Sequence, residues 1–387
     1  MPTGTVSITF YPAIIALLCG SGLTRSQGGI DNMKPAGINV ISHDHTFTTR
    51  YLGLQLVDNS ASHRDLGFTG QLGGRWYAVY GDVLWCAPGG DRSGRRPSWV
   101  PWHDDPLVVH DLHLDAEGRQ QQFIPFNPDW GEANDFGFGG TSLVEVDSET
   151  DTGAIFYLVN GNKTGFRGAG VAKVQLLDGI PTVTHRFGDQ GYWWNANSTA
   201  RYGDVAAFRD PRSEHVYAWG GAPLHKTSWV DSGYVYQCRV KATEVFEISR
   251  YRWKATQAVF FKMLISSRYE YWWGREMGWK SEPLTVFTAE TAVMWMSGQG
   301  QVVWNAFLSC YIFVRLGPWT NDVFLRTAPL PEGPWSDDVK VFTATPIGHN
   351  GMTYAGVAHP YLDPSGRSMV ISYTNNNNIE VIKVTFG

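Results

Sequence analysis

The 387-residue chain has no hydrophobic segment that reaches the roughly 20 residues of a membrane-spanning helix, and its apolar run near the start, Phe10–Cys19, is too short to span a bilayer. Charge is scarce too. Asp, Glu, Lys and Arg make up 17% of the residues, against roughly 25% in an average soluble domain. Lys and Arg total 31 against 36 Asp and Glu, a formal net charge of −5. No basic cluster stands out, so the electrostatic footprint of a nucleic-acid binder is missing. Cysteine is limited to four residues and no CxxC pair occurs, which removes the usual cysteine signature of a zinc site. Cys19 lies in the N-terminal run, so Cys86, Cys238 and Cys310 allow at most one bridge and one free thiol. The chain carries no GxSxG elbow, P-loop or dinucleotide fingerprint, and the GFGG at 137–140 has the wrong spacing. Helical periodicity is sparse.

Aromatic residues, by contrast, make up 14% of the chain, and 43 Gly and 20 Pro punctuate short β-like runs. Five runs resemble one another: WYAVYGD (76–82), AIFYLVNG (154–161), HVYAWGG (215–221), CYIFVRLG (310–317) and SMVISYT (368–374). Most follow a strand-like run across a turn, and several precede a third. A strand-turn-strand-turn-strand unit repeated five times predicts an all-β fold, a five-bladed β-propeller. Packing on both faces of each blade accounts for the near-continuous apolar strands. A β-sandwich with long insertions is the alternative.

The chain divides accordingly. Residues 1–28 resemble a secretory signal peptide and tail, although no Lys or Arg precedes the apolar run Phe10–Cys19 and Pro12 interrupts it. Asn162-Lys-Thr and Asn197-Ser-Thr are glycosylation sequons consistent with a secreted, extracellular protein. Residues 29–387 are expected to form a single propeller domain. The second residues of the five runs, Tyr77, Ile155, Val216, Tyr311 and Met369, are separated by 78, 61, 95 and 58 residues, and the long interval contains a near-repeat, ISRY (248–251) and SSRY (266–269). Residues 252–266 match no blade pattern and read as an insertion, either a surface loop or a gene-model artefact.

The hairpin at 64–82 carries the first chemical clue. If Gly73-Gly74 is a two-residue primed turn, Gly67 pairs with Tyr80 and Asp65 with Asp82. Opposed residues have Cβ atoms about 4.5–5.5 Å apart. Two like charges at that range do nothing for a sheet.

The segment DLGFTGQLGGRWYAVYGD, together with YEYWWG (269–274), GPWSDD (333–338) and AGVAHPYLDPSGRSMVISYT (355–374), resembles domain-of-unknown-function family 4185. The similarity runs from about residue 60 to the C-terminus, with 252–266 departing from it. Relatives of that family make up glycoside hydrolase family 183, endo-acting D-arabinanases on five-bladed propellers. The resemblance implies a glycosidase fold, and it implies that Asp65, in the D-L-G motif, and Asp82, in the following G-D, are the catalytic pair. It does not fix the sugar.

The residues themselves agree with that chemistry. Glycoside hydrolysis commonly uses one protonated and one ionised carboxyl group, and adjacent carboxylates push their titrations apart. An acid that ties down a loop or pairs with Arg64 is the structural alternative. Glu270, among aromatics, is a further candidate acid, with pairing to Arg268 or Arg275 as its structural reading. Asp204 in RYGDVAAF echoes the Tyr-Gly-Asp around Asp82. Trp193, Trp194, Trp272 and Trp273 are candidate sugar platforms, because flat rings suit apolar sugar faces, with packing between blades as the structural reading of each. His359, in GVAHPY, is placed at the start of an inner strand, aimed at the pocket, with a satisfied structural histidine as the alternative. The Asp111/His113/Asp115 and His43-Asp44-His45 clusters lack a specific metal signature. No metal or cofactor is implied.

The leading function is a secreted glycoside hydrolase acting as a monomer on a polysaccharide or oligosaccharide, furanosyl, arabinan-like substrates being one option. The alternative is a non-catalytic, lectin-like carbohydrate-binding propeller, which has no need for two facing carboxylates. For the insertion, entropy decides little, since doubling a surface loop costs only about 0.6 kcal/mol. Deleting one repeat unit, residues 252–269, rejoins Tyr251 to Glu270 and is expected to leave one cooperative thermal transition. A deletion variant without that transition would place the segment in the core.

Overall fold

The computed structural model describes residues 46–57, 62–85, 98–101, 105–109, 122–132, 136–161, 165–224, 233–248, 267–295, 298–317, 320–348 and 351–387. The N-terminal segment to residue 45, the sequon at Asn162, the two His/Asp clusters, Cys86 and the 252–266 insertion lie outside them.

Strands account for nearly all of the regular structure. The chain opens with β1 (Phe47–Leu54), β2 (Leu56–Val57), β3 (Ser62–Leu72), β4 (Arg75–Trp85), β5 (Ser98–Pro101) and β6 (Val108–Val109). It continues with β7 (Phe136–Asp147), β8 (Thr152–Gly161), β9 (Gly165–Leu177), β10 (Ile180–Arg186), β11 (Trp194–Asn195) and β12 (Ala206–Arg209). Next come β13 (His215–Gly221), β14 (Tyr234–Lys241), β15 (Glu270–Trp272), β16 (Trp279–Lys280), β17 (Met294–Trp295) and β18 (Gly300–Asn305). The last are β19 (Cys310–Leu316), β20 (Asp322–Ala328), β21 (Val339–Thr343), β22 (Thr353–His359), β23 (Ser368–Asn375) and β24 (Asn378–Phe386).

Antiparallel neighbours in sequence build the sheets. The first is β3-β4-β5, the second β7 to β10 with β11 added on β9, and the third β12 to β16 with β17 added on β14. The fourth is β18 to β21, and the last is β22-β23-β24 with β1 outermost. Strands β2 and β6 form a small parallel pair. Each of the five aromatic runs is the second strand of its sheet. Strands β8, β19 and β23 are buried along almost their whole length. Such strands read as unbroken apolar runs because they are covered on both faces. By contrast β1, at a sheet edge, is half in and half out of solvent along its length.

The innermost strands close a ring: β3 packs on β7, β7 on β12, β12 on β18, β18 on β22, and β22 back on β3. This is a β-propeller arrangement. The apolar core divides by interface. One cluster joins the first and second sheets around Tyr77, Phe138 and Tyr157, and another joins the second and third around Phe156, Trp194 and Tyr236. Trp219 and Phe313 belong to the cluster between the third and fourth sheets, and Ile312 and Ile371 to that between the fourth and last. Gly70 allows β3 to approach β7 closely, since a Cβ there would lie 2.1 Å from the Leu143 carbonyl oxygen. The circle is completed by the chain ends. Strand β1 pairs antiparallel with β24, from Phe47 opposite Phe386 to Leu54 opposite Glu380.

The first hairpin departs from the regular register expected for it. Leu72 faces Arg75, and the pairing runs as expected to Phe68 opposite Val79. Beyond that, Leu66 rather than Gly67 faces Tyr80, and Arg64 then faces Val83. An extra residue on β3 is followed by an extra one on β4. Asp65 therefore stands across from the Gly81-Asp82 pair instead of directly opposite Asp82. The cause is local backbone shape: Leu66 (φ 65°) and Gly67 (φ 85°) are both left-handed, and a bulge of that kind offsets a ladder by one residue.

Candidate active site

Asp65 sits just before this bulge, half-buried. A left-handed conformation at a non-glycine residue costs about 1–3 kcal/mol and persists only where the surroundings hold it. Two features hold Leu66. Its backbone N–H donates to Thr374 Oγ1 at 2.9 Å, and its side chain packs with Phe68, Ala355 and Val357. At Gly67 a Cβ would press on the Tyr80 ring at 3.0 Å, and the left-handed φ itself favours glycine.

Strand β22 carries a matching irregularity. Ala355 has φ 55°, and the register slips between Tyr354 and Val357. Asp65-Leu66-Gly67 and Tyr354-Ala355-Gly356 thus occupy corresponding places on neighbouring inner strands. Their leading side chains meet, with Tyr354 Oη donating to Asp65 Oδ2 at 2.7 Å. Further along β3 the ring is filled by polar contacts. Thr69 Oγ1 donates to the Ala358 carbonyl at 2.8 Å, and Gln301 Nε2 donates to the Thr69 carbonyl at 2.9 Å. A carboxylate at the start of a rigid inner strand, held by a phenol from the next sheet, suits proton transfer or nucleophilic attack. The side chain of Asp82 lies outside the described residues; its backbone lies on β4.

The other predicted site residues are not brought to Asp65. Glu270 lies on β15, the fourth strand out in its sheet. Three strand spacings put it about 14 Å outward from β12. Its carboxylate accepts from Arg239 Nε at 2.8 Å, rather than pairing with Arg268 or Arg275. Arg268 instead bridges Glu244 and Glu247. Trp272 is on the same outer strand, edge-on to Trp279 at 5.3 Å. Trp194 is 3% exposed, packed against Phe156 and Tyr202, and so offers no face to a sugar. Trp193 is half-buried and lines a cavity of about 270 Å³ with Trp130, His185, Arg186, Phe187 and Phe246. That cavity belongs to the second and third sheets, not to the Asp65 end of β3. Trp273 donates from Nε1 to the Glu282 carbonyl at 2.9 Å. Asp204 is buried and structural, accepting from Arg201 Nε at 2.7 Å and from the Gly221 N–H at 3.0 Å. Cys238 and Cys310 are free, buried thiols, and burial pushes Cys310 up to about 12.

His359 needs the clearest correction. It ends β22 rather than beginning it, five residues beyond Tyr354, which separates the two by on the order of 15 Å along the strand. The imidazole is fully buried, with Nε2 at 2.8 Å from Ser372 Oγ and Nδ1 at 3.3 Å from Tyr361 Oη. It ties β22 to β23. Tyr354 and Thr374, which do touch the Asp65 segment, carry no motif of their own. They lie at the two ends of the AGVAHPY…SYT segment, and nothing in local spacing points to residues about 300 positions from Asp65.

No protein-family model matches the chain, and no curated protein matches it. Solved structures do. The chain is similar to a protein of Bacteroides ovatus ATCC 8483 provisionally described as a hydrolase, with 16% identity, a TM-score of 0.52 and 87% of each chain covered. It is also similar to the GH43_1 enzyme from Xanthomonas citri complexed with xylotriose, with 12% identity, a TM-score of 0.51, and 87% of this chain and 90% of that one covered. The same enzyme complexed with xylose gives a TM-score of 0.50 at the same identity and coverage. At such identities the likeness carries the propeller arrangement and nothing finer.

Burial holds His359 neutral, its pKa lowered from 6.5 to about 3. The unfolded chain takes up that proton near pH 6.5, so the contribution to stability is complete above about 6.5 and declines as pH falls toward 3, by up to about 1.4 kcal/mol per pH unit. His359→Gln is expected to flatten the acid side of the stability-versus-pH curve by one proton's worth of slope. Denaturant midpoints of both proteins between pH 4 and 7 give the comparison. Parallel curves would mean that His359 protonates equally in the native and unfolded states.

Proposed function

We propose that the chain is a secreted glycoside hydrolase on a five-bladed propeller, the three-stranded sheet β3-β4-β5 counting as the first blade. Asp65 and Asp82 form its carboxyl pair, and its substrate is a polysaccharide with furanosyl residues, arabinan-like in kind. The observation that carries this reading is the strained start of β3. A backbone cost of about 1–3 kcal/mol is maintained there, with a half-buried carboxylate as the side chain it aims. The resemblance to domain-of-unknown-function family 4185 and to glycoside hydrolase family 183 supports the same pair. The similarity in fold to an enzyme solved with xylotriose and with xylose supports a carbohydrate substrate, without bearing on the pair.

In this chemistry one carboxyl group protonates the glycosidic oxygen as the bond to the anomeric carbon breaks. The other, ionised, attacks that carbon or takes a proton from the attacking water. Asp65→Asn and Asp82→Asn keep the volume and remove the titrating group. Each is expected to lower hydrolysis of arabinan or galactan by at least about 10²–10⁴-fold with a melting temperature unchanged or raised. Full activity in both variants would end the catalytic reading. A wild-type protein that binds these glycans without cleaving them would be the lectin instead.

Secretion belongs to the same proposal. Removal of a leader near Gly22 gives a mature chain starting at about residues 23–28, and Asn197 is exposed and open to a glycan. Intact mass of protein exported from a eukaryotic host is expected to show both changes. Exported protein that retains Met1 would refute the leader.

A further inference from the structure

We infer that Tyr354 and Thr374 are positioning residues for Asp65, so that a cross-strand pair on the last sheet sets the reacting carboxylate on the first. The inference rests on the reading of Asp65 as a reacting group. Tyr354 on β22 and Thr374 on β23 are direct partners in their sheet. From that one rung, two hydrogen bonds reach consecutive residues of β3. Tyr354 Oη holds Asp65 Oδ2 at 2.7 Å, and Thr374 Oγ1 accepts the Leu66 N–H at 2.9 Å.

The two bonds do different things. The phenol touches the carboxylate itself, and a donor to a carboxylate favours its ionised form. Asp65 is thereby the base or nucleophile of the pair, and the proton delivered to the leaving group resides on the other carboxyl. Thr374 acts only through the backbone. It is wholly buried, and its hydroxyl satisfies the N–H that the left-handed turn at Leu66 takes out of the ladder. Without it the bulge relaxes and the Asp65 side chain swings from its aim, while the charge preference of the carboxylate stays the same.

Tyr354→Phe and Thr374→Val separate these roles. Thr49→Val is the control, since it removes a hydroxyl bond to the Val341 carbonyl, 2.8 Å long, between the same last sheet and β21. Tyr354→Phe is expected to lower kcat about 10- to 100-fold, as for loss of one hydrogen bond to a charged group. KM should stay within about threefold, and the acid limb of the pH–rate profile should move up by about one pH unit. Thr374→Val is expected to lower kcat without moving that limb, and Thr49→Val to alter neither. A Tyr354→Phe enzyme with the wild-type kcat and acid limb overturns the inference, as does a control that reproduces its changes. Asp65→Asn keeps the two readings apart. Full activity there refutes the catalytic role itself, whereas an inactive Asp65→Asn beside a normal Tyr354→Phe refutes only the positioning. A readout independent of turnover is the Asp65 carboxyl ¹³C titration, assigned with Asp65→Asn. It is expected to shift upward in Tyr354→Phe, and an unmoved titration also overturns the inference.

Discussion

A ring of sheets is stable only if its last member meets its first, and among the described residues that meeting carries the smallest apolar clusters. Among the described residues, the interfaces between successive sheets hold continuous apolar clusters built on rings and branched chains. Among the described residues the first and last sheets share two small groups, Leu66, Phe68, Ala355 and Val357 in one, and Ala78, Tyr80 and Ile379 in the other, with Trp76 stacked on Tyr361. Hydrogen bonds make up the difference. The Arg64 N–H donates to the Asn377 carbonyl at 2.9 Å. Thr69, Leu66 and Tyr354 add side-chain links across the same join. Each such bond contributes only about 0.5–1.5 kcal/mol net, but leaving a buried partner unmade costs more. The seam is therefore specific before it is strong.

That specificity explains where the candidate acid lies. An apolar contact tolerates sliding, whereas a hydrogen bond fixes distance and direction. A carboxylate aimed by contacts from a second sheet is best placed at an interface already fixed by directional bonds. The seam also joins the two ends of the sequence, since β1 is the outer strand of the last sheet. Asp65 acquires Tyr354 and Thr374 only when the ring has closed. Packing of the chain and assembly of the site are in this sense one event.

Much of the strand pattern was legible because both faces of the second strands are buried, which leaves long apolar runs in the sequence. The Gly73-Gly74 turn likewise fixes its hairpin as far as Phe68 opposite Val79. The forecast fails at Leu66 for a physical reason. The bulge there is stabilised by Thr374, 308 residues away, and no local propensity makes a leucine left-handed. Tryptophan was ambiguous for a related reason: the ring that could carry a sugar is the same ring that fills an interface. Trp194 fills one, and Trp272 packs on a neighbouring Trp at a sheet edge. Glu270 looked reactive because of its aromatic neighbours, yet Arg239 neutralises it on an outer strand.

The same distinction sorts the motifs that gave the resemblance. GPWSDD serves the fourth sheet: the Asp338 carboxylate lies between the buried Arg315 and Arg326, accepting from Arg315 Nε at 3.0 Å and from Arg326 Nε at 2.7 Å. Burial opposes that negative charge, but the two guanidiniums outweigh it and lower the Asp338 pKa. A carboxylate so surrounded is committed to the scaffold, because freeing it would leave two buried cations uncompensated. YEYWWG serves the third sheet through Tyr269, whose hydroxyl donates to the Val245 carbonyl at 2.7 Å, and through Glu270. AGVAHPY contributes His359 to the contact between β22 and β23. The D-L-G of the first hairpin stands instead beside a strained backbone, its acid accepting from the Tyr354 hydroxyl. A motif can be shared for either reason, and for the arginine-held acids of GPWSDD and YEYWWG that reason is the scaffold.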